Sequence, residues 1–370
     1  MQPPFIKYLV SSPYGDVPVD KDKYDFPLEG DTLKTPYRVY FDAIETFLFH
    51  EAMKPLINAV TETHKKETTV KEIQEIIIRA EKHGALSHPA SIELILKDGQ
   101  VKFGLNVAVT DTGKESLKRE FIVLRTLHEK FNLPYIPKPY FVYEFNSMVF
   151  LLEEWFEGYH EFHLSMTEGG EQLIKLWEFG KGYQYLSYEQ SFEIYRQASK
   201  ILTLYYDMND FCQIYPWHHA AGDFIARIED DKIDVRLTTV RQYEPYIVFQ
   251  EKEHINPVIA LFFFLLNLTI KMRLDKLDGV GNTVWAGDFC LEASVKGFLD
   301  GVRLKKEFKN YFSSENDFFK ILKSFRLEDL KTSYNPLIDL YNGTGDHPVI
   351  TAKLDKHVEA LYTILQNSPS

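Results

Sequence analysis

Residues 215–245 read YPWHHAAGDFIARIEDDKIDVRLTTVRQYEP, and this stretch determines how the rest of the chain is interpreted. It places two adjacent histidines and a Gly-Asp pair in a short loop, followed by two runs of alternating apolar residues that predict a β-hairpin. Loops rich in titratable side chains, held between regular elements, often carry binding or catalytic residues. His218, His219 and Asp223 are therefore the first candidate site residues.

The composition restricts the class of partner and the compartment. The 370 residues carry a formal net charge of -12, which argues against nucleic acid or an anionic membrane as partner and favours small molecules or proteins. Two distant cysteines, Cys212 and Cys290, and an N-terminus without signal-peptide character predict a cytoplasmic protein. The longest uncharged run, residues 255–270, is too short to span a bilayer comfortably and predicts a buried helix.

Residues 1–84 predict an N-terminal arm and a helical extension. The first 35 residues are rich in Pro, Gly, Asp and Tyr without periodicity, which indicates an extended surface arm. Residues 37–64 have apolar side chains at helical spacing, and Pro55 is expected to kink or split this helix. A second helix is expected from Thr69, where a T-x-x-E capping box ends at Glu72.

Residues 85–157 and 158–370 predict a small sheet-containing lobe followed by a mainly helical lobe. In the first, hairpins at residues 91–110 and 140–153 flank an amphipathic helix at residues 114–130. Residues 160–185 are ambiguous in pattern. Further helices are expected in the second lobe near residues 188–208, 256–274, 291–304, 317–325 and 351–365.

These elements follow one another in an order that resembles the protein kinase-like fold, particularly its aminoglycoside and choline phosphotransferase branch. Three motifs contribute to the resemblance. LKREFIVLRTL is similar to the helix whose glutamate braces the phosphate-binding lysine, which implies that role for Glu120. LLEEWFEG, with Glu154, resembles the hinge that meets the adenine ring, and AGDF resembles the HGDL motif of the catalytic loop. The resemblance covers roughly residues 85–330 and implies an α+β, two-lobed fold with a helical N-terminal extension.

The resemblance implies ATP and magnesium as cofactors if the protein is active, but several motif positions carry other residues. The phosphate-binding lysine position falls at Asn106, and Lys102, on the same face of the strand, is the substitute available nearby. No G-x-G-x-x-G motif precedes it.

Two registers of the 215–245 stretch assign its residues differently. In the first, Asp223 is the catalytic base and Ile228 stands at the metal-binding asparagine position. In the second, Asp223 stands at the asparagine position and His218 or His219 is the base, which its ordinary pKa would allow. In both registers the second magnesium ligand position falls at Thr238 or Thr239.

Two other groups of residues have alternative interpretations. Arg241 is a candidate to bind a phosphate or carboxylate, or to form a structural ion pair with a nearby carboxylate. The histidines His160, His163, His218 and His219 give a minor alternative, a metal site.

The sequence therefore favours a degenerate kinase-fold protein, a pseudokinase-like ligand-binding or scaffold module. The alternative is an active ATP-dependent small-molecule phosphotransferase that uses Asp223, with a displaced cation from Lys102 or Arg241.

Overall fold

The computed structural model describes residues 4–12, 14–81, 86–230, 232–246 and 256–367. The chain divides into two compact units, each made of two segments. The first contains Met1–Gly158 and Phe179–Gly182, and the second contains Tyr159–Glu178 and Tyr183–Ser370. From the sequence, segment boundaries were predicted between residues 84 and 85 and between residues 157 and 158. The first boundary falls within residues 82–85, which lie outside the described part of the chain.

The first unit combines one sheet with three helices. Its strands are β1 (Phe5–Ser12), β2 (Gly15–Pro18), β3 (Ile73–Ala80), β4 (His88–Leu96), β5 (Gly99–Ala108), β6 (Pro139–Phe145) and β7 (Met148–Glu154). Its helices are α1 (Tyr37–Leu48), α2 (Lys54–His64) and α3 (Asp111–Phe131). All seven strands form one sheet in the order β2-β1-β3-β4-β5-β7-β6, in which β1 and β3 are parallel and the other neighbours antiparallel.

Aromatic packing joins helix α1 to this sheet. Phe47 of α1 stacks on Phe141 of β6 and on Phe150 of β7, with ring centroids 4.9 Å apart in both pairs. Phe47 and Phe150 are almost fully buried, so each ring contributes a large apolar area to the core.

The helix expected from Thr69 is wrong. The capping box between Thr69 and Glu72 is present, but it closes only a single 3-10 turn, and the chain continues as strand β3. Its sequence, IQEIIIRA, is rich in β-branched isoleucine, whose side chains suit a pleated sheet better than a helix. Ile76, Ile78 and Ala80 alternate into the core at relative exposures of 0, 0 and 6%.

The expected surface arm is also wrong over residues 5–12, which form β1. This strand pairs in parallel with β3, a partner more than sixty positions away along the chain. The helix predicted at residues 37–64 is confirmed in two pieces, with Pro55 at the start of α2. Proline is tolerated there because the first helical N–H groups have no partner within the helix.

The second unit contains the remaining strands and helices. Its strands are β8 (His160–Met166), β9 (Gln172–Glu178), β10 (Gly182–Tyr185), β11 (Cys212–Tyr215), β12 (Phe224–Glu229), β13 (Lys232–Leu237), β14 (Gln242–Pro245), β15 (Leu274–Lys276) and β16 (Thr283–Trp285). Its helices are α4 (Tyr188–Tyr205), α5 (Pro257–Met272), α6 (Asp288–Leu304), α7 (Glu315–Ser324), α8 (Leu327–Asp339) and α9 (His347–Asn367). Strands β10-β9-β8-β12-β13 form a five-stranded sheet in that order, and β11 pairs with β14.

Two glycines allow α4 and α6 to pack closely in this unit. A Cβ atom at Gly297 would lie 2.0 Å from the backbone oxygen of Arg196, and one at Gly301 would lie 2.6 Å from the Cβ of Thr203. Larger residues would force the two helices apart, so these positions fix the distance between α4, which contacts β13, and α6.

The fold class predicted from the sequence is confirmed. The N-terminal part is rich in antiparallel sheet, the C-terminal part is mainly helical, and the hairpins β4–β5, β6–β7 and β12–β13 occur in the expected order around α3 and α4. The ambiguous residues 160–185 form β8 to β10, and α8 was not predicted because Pro336 interrupts its pattern. In the described part of the chain, no helix combines the length and apolarity needed to cross a membrane.

Candidate functional site

Asp223 is held in a buried ion pair at the start of the β12–β13 hairpin. Its residue is 1% exposed, and its carboxylate accepts two parallel hydrogen bonds of 2.9 Å from the guanidinium of Arg241. The backbone N–H of His218 donates a third bond of 2.9 Å to Oδ2. The same guanidinium also donates to the backbone oxygen of Pro216 at 3.1 Å, so Arg241 joins both ends of the 215–245 stretch.

Gly222 gives the loop the conformation that directs Asp223 inward. Its φ of 68° lies in the left-handed region, and a Cβ atom there would lie 2.8 Å from Oε1 of Glu161. Glycine meets both demands without steric cost. Thr238 closes the hairpin from the opposite side, because its backbone N–H donates to the Asp223 carbonyl at 2.8 Å and its hydroxyl lies 3.2 Å from the Gly222 and Asp223 carbonyls. Thr239 follows in the irregular segment between β13 and β14.

The two histidines of the loop have different surroundings. The Nδ1 of His218 accepts a 3.0 Å hydrogen bond from the Ala220 N–H, and its Nε2 lies 3.7 Å from Oδ2 of Asp346. The adjacent imidazole of His218 holds the pKa of Asp346 below its ordinary value. This histidine therefore joins the loop to the turn that precedes α9.

His219 is enclosed by aromatic rings instead. It is 1% exposed, and its ring centroid lies 5.2 Å from that of Tyr195 and 5.5 Å from that of Phe224. Burial lowers its pKa to about 3, so the imidazole is neutral at physiological pH. Neither ring nitrogen has a hydrogen-bond partner in the described part of the chain.

The four histidines considered as a metal site are not assembled into one. Within the residues that the structure describes, no group of three or more His, Cys, Asp or Glu side chains is arranged to hold a metal ion. His163 instead lies 3.4 Å from Oδ1 of Asp275 and 3.6 Å from a carboxylate oxygen of Glu161. Burial alone would lower the pKa of His163, but the bonds to these two carboxylates outweigh it and raise the pKa to about 9.

In the first unit, the side chain of Asn106 is hydrogen-bonded to a carboxyl group. Its Nδ2 on β5 donates a 2.8 Å hydrogen bond to Oε1 of Glu153 on β7. Glu153 is only 7% exposed, and its Oε2 has no hydrogen-bond partner among the described residues. Burial, and after it the charge of nearby Glu120, raises the pKa of Glu153 well above its ordinary value. Glu153 therefore bonds to the residue at which the sequence resemblance predicts a phosphate-binding lysine, and Glu120 lies near Glu153.

The other predicted nucleotide-binding residues of this unit make local contacts. The Nζ of Lys102 lies 4.2 Å from the ring centroid of Trp155, a cation–π contact, and burial lowers the pKa of this lysine. Glu154 is exposed and pairs with the backbone of Lys138, from whose N–H its carboxylate accepts a hydrogen bond of 3.2 Å. These contacts position Lys102 and Glu154 at the end of the β5–β7 pair.

Several residues in these surroundings were not identified from the sequence as site residues. Glu153 stood next to Glu154 in the quoted hinge motif, but its burial depends on the pairing of β7 with β5. Asp275 follows the helix expected near residues 256–274; it lies in β15, is 1% exposed, and accepts a 2.8 Å bond from the Leu164 N–H. No local sequence signal marks either side chain, because both environments are formed by distant segments.

Comparisons with solved structures include two weak similarities to kinase and pseudokinase domains. No family model matches this chain, and no curated protein matches it. The chain is similar to the pseudokinase domain of BIR2, described as an immune regulator of the RLK/Pelle family, at 14% identity and a TM-score of 0.28, over 76% of this chain and 71% of that one. It is also similar to the kinase domain of PF14_0431 at 10% identity and a TM-score of 0.29, over 73% of this chain and 94% of that one.

Proposed function

We propose that this chain is a kinase-fold protein that does not transfer phosphate and acts as a pseudokinase-like binding or scaffold module. The observation that carries the proposal is the buried fork between Asp223 and Arg241, with both carboxylate oxygens engaged. A catalytic base must be within reach of the acceptor hydroxyl, and a magnesium ligand must offer a carboxylate oxygen to the ion. In this structure the two carboxylate oxygens of Asp223 already accept hydrogen bonds from the Arg241 guanidinium and from the His218 backbone N–H.

The surroundings of Asp223 do not fit a magnesium ion for the same reason. A divalent cation next to Arg241 would place two positive groups on one carboxylate, and the neighbouring Thr238 hydroxyl is already bonded to backbone carbonyls. Mg²⁺ prefers carboxylate and water oxygens in a near-octahedral shell. This site therefore supports no catalytic step through magnesium.

The residues around Asn106 support the same proposal independently. Phosphoryl transfer needs a cation on the nucleotide phosphates. Here the position to which the sequence assigns that cation carries an amide, which donates its hydrogen bond to Glu153, with Glu120 near Glu153. Asn106 can donate a hydrogen bond, but it does not supply the missing charge.

The rival function is an active small-molecule phosphotransferase that uses Asp223 as its base. The two functions differ in what Asp223→Asn does. If Asp223 is structural, the variant loses the charge that Arg241 requires, and the free energy of unfolding falls. If Asp223 is catalytic, ATP turnover is abolished while the stability stays nearly unchanged.

The test measures the free energy of unfolding and ATP hydrolysis for wild type, Asp223→Asn and the control Asp355→Asn. Asp355 is an exposed aspartate on α9, so the same substitution there should change neither quantity. The proposal expects no turnover in any of the three proteins and a clear loss of stability in Asp223→Asn alone. Metal-dependent turnover by wild type that disappears in Asp223→Asn would establish the rival function.

A further inference from the structure

A small cavity in the second unit lies between α4, β11 and α5. Its volume is ≈ 10 Å³, which is room for one water molecule or an ion of similar size. Apolar side chains form much of its wall, and three polar side chains, those of Gln213, Asn267 and Lys271, complete it. The cavity involves none of the residues to which a role in phosphate transfer was assigned.

Both amide side chains at the cavity are buried and have hydrogen-bonding capacity left over. Asn267 is 4% exposed, and its Oδ1 accepts a 2.7 Å bond from the hydroxyl of Tyr341. This bond fixes Oδ1, so the remaining group at the cavity is the Nδ2 donor, for which the described residues provide no acceptor. Gln213 is 9% exposed, and its side-chain amide likewise has no partner among the described residues. Buried amide groups are usually satisfied by protein or by a bound species.

Lys271 supplies the positive charge. Its Nζ lies 5.1 Å from the ring centroid of Trp217 and 5.5 Å from that of Tyr215, so the ammonium group faces two aromatic rings. No carboxylate in the described part of the chain lies within ion-pair distance of it. Burial lowers its pKa to about 8, and it remains mostly protonated at neutral pH.

We propose that Lys271, Gln213 and Asn267 form a binding site for a small monovalent anion of halide size. An ammonium group and two amide donors around a cavity of this volume match the charge, the hydrogen-bonding capacity and the size of such an ion. Carboxylates and phosphates are too large for the cavity, and a metal cation would be repelled by Lys271. Water is the competing occupant, and it differs from the anion in leaving the charge of Lys271 without compensation.

The charged groups around Lys271 are already paired with one another. Asp223 is bonded to Arg241, and Asp346 lies next to His218. The two carboxylates attract the Lys271 ammonium and Arg241 opposes them, but none of these groups replaces a direct counter-ion. An anion in the cavity would therefore neutralise Lys271, for which the described residues provide no bonded carboxylate.

The experiment uses bromide as the probe. The thermal midpoint of unfolding is measured against sodium bromide, with sodium gluconate at equal ionic strength as the reference, for wild type, Lys271→Met and the control Lys353→Met. Lys353 is an exposed lysine on α9, so the control changes the same charge away from the cavity. A ligand that binds only the folded state stabilises it with increasing concentration. Wild type and Lys353→Met should gain stability in bromide over gluconate, and Lys271→Met should show at least a tenfold weaker apparent affinity.

A second variant and a direct observation guard against a folding defect. Gln213→Met keeps the charge and removes one donor, so bromide should still bind but more weakly than in wild type. Crystals grown in bromide should show an anomalous peak at the cavity beside Nζ of Lys271. In wild type the apparent affinity should fall as pH rises above about 8, where Lys271 loses its proton. Equal bromide responses in wild type and Lys271→Met, or a cavity without bromide in such crystals, would overturn the proposal.

Discussion

Asp223 and Glu153 are both buried carboxyl groups, yet their charges are compensated in different ways. Asp223 is 1% exposed and meets the guanidinium of Arg241 in a two-bond fork. Glu153 is 7% exposed, meets only the amide of Asn106 and lies near a second acid, Glu120. The first group is stabilised as an ion, whereas burial favours the protonated form of the second.

The difference between Asp223 and Glu153 shows that a buried carboxyl group alone does not determine chemical function, because its partners differ. Catalysis of phosphate transfer needs a carboxylate with open oxygens in one region and an open cation in the other. Here the carboxylate is bonded to a cation, and the other region has an amide at the position predicted for the cation. The two regions therefore support the same proposal through different side chains.

The largest expected effect comes from breaking the Asp223–Arg241 fork. Arg241→Met leaves a buried carboxylate without its cation, and the free energy of unfolding should fall by about 4 kcal/mol. Urea unfolding at neutral pH measures the loss. Arg326→Met is the matched control, because Arg326 forms a similar fork with Asp329 on an exposed surface and should matter little. Equal effects in the two variants would refute the structural role of the buried fork.

His163 and Asp275 provide an intermediate case, in which the cation compensating a buried carboxylate can itself be titrated. Because the folded-state pKa of His163 is raised to about 9, its stabilising contribution should be fully present below about pH 6.5 and lost as the pH rises through 9. His163→Gln should lower the free energy of unfolding by about 2 kcal/mol at pH 6 and by much less at pH 10. Denaturant unfolding at the two pH values checks this, and a loss that is independent of pH would contradict it.

Glu153→Gln should have the opposite sign. A carboxyl group whose pKa is raised in the folded state destabilises the protein as the pH rises above its ordinary value of ~4.3, where the unfolded state ionises first. The glutamine keeps an oxygen for the Asn106 amide and removes this penalty. The variant should be more stable than wild type by about 1 kcal/mol at pH 8 and similar to it at pH 4. A destabilised variant at pH 8 would show that Glu153 is ionised and paired in the folded protein.

The smallest expected effect concerns Lys102, the predicted substitute for the phosphate-binding lysine. Its observed partner is the Trp155 ring, so Lys102→Met should lower the free energy of unfolding by only about 0.5 kcal/mol. The same variant should leave calorimetric titrations with ATP unchanged. A loss of ATP binding in Lys102→Met would assign the lysine to a nucleotide site.

Local sequence patterns predicted the elements whose signals are complete within a few residues. The patterns at residues 91–110 predicted the β4–β5 hairpin, and the amphipathic pattern at residues 114–130 predicted α3. The capping box at Thr69 was equally local and is present, but the isoleucines that follow it decided the element. The parallel pairing of β1 with β3 depends on distant residues and left no local signal.

The sequence named His218, His219, Asp223 and Arg241 as candidate site residues, whereas their contacts depend on the folded chain. The sequence left two roles open for Arg241, and the observed ion pair with Asp223 corresponds to one of them. Asp223 and Arg241 are eighteen positions apart, and the β12–β13 hairpin brings them together. The alternating pattern predicted this hairpin, but it did not fix the direction of the two side chains. The acidic neighbours of Asn106 depended on strand order and could not be read from spacing.

Calorimetric titration of the wild-type protein with ATP in the presence of magnesium tests the central claim most directly. The Asp223 carboxylate is bonded to the Arg241 guanidinium, and the Asn106 amide is bonded to Glu153. We therefore predict no heat of binding beyond the heat of dilution at millimolar nucleotide. Saturable binding that requires magnesium, accompanied by phosphate release, would contradict the proposal and identify the chain as a phosphotransferase.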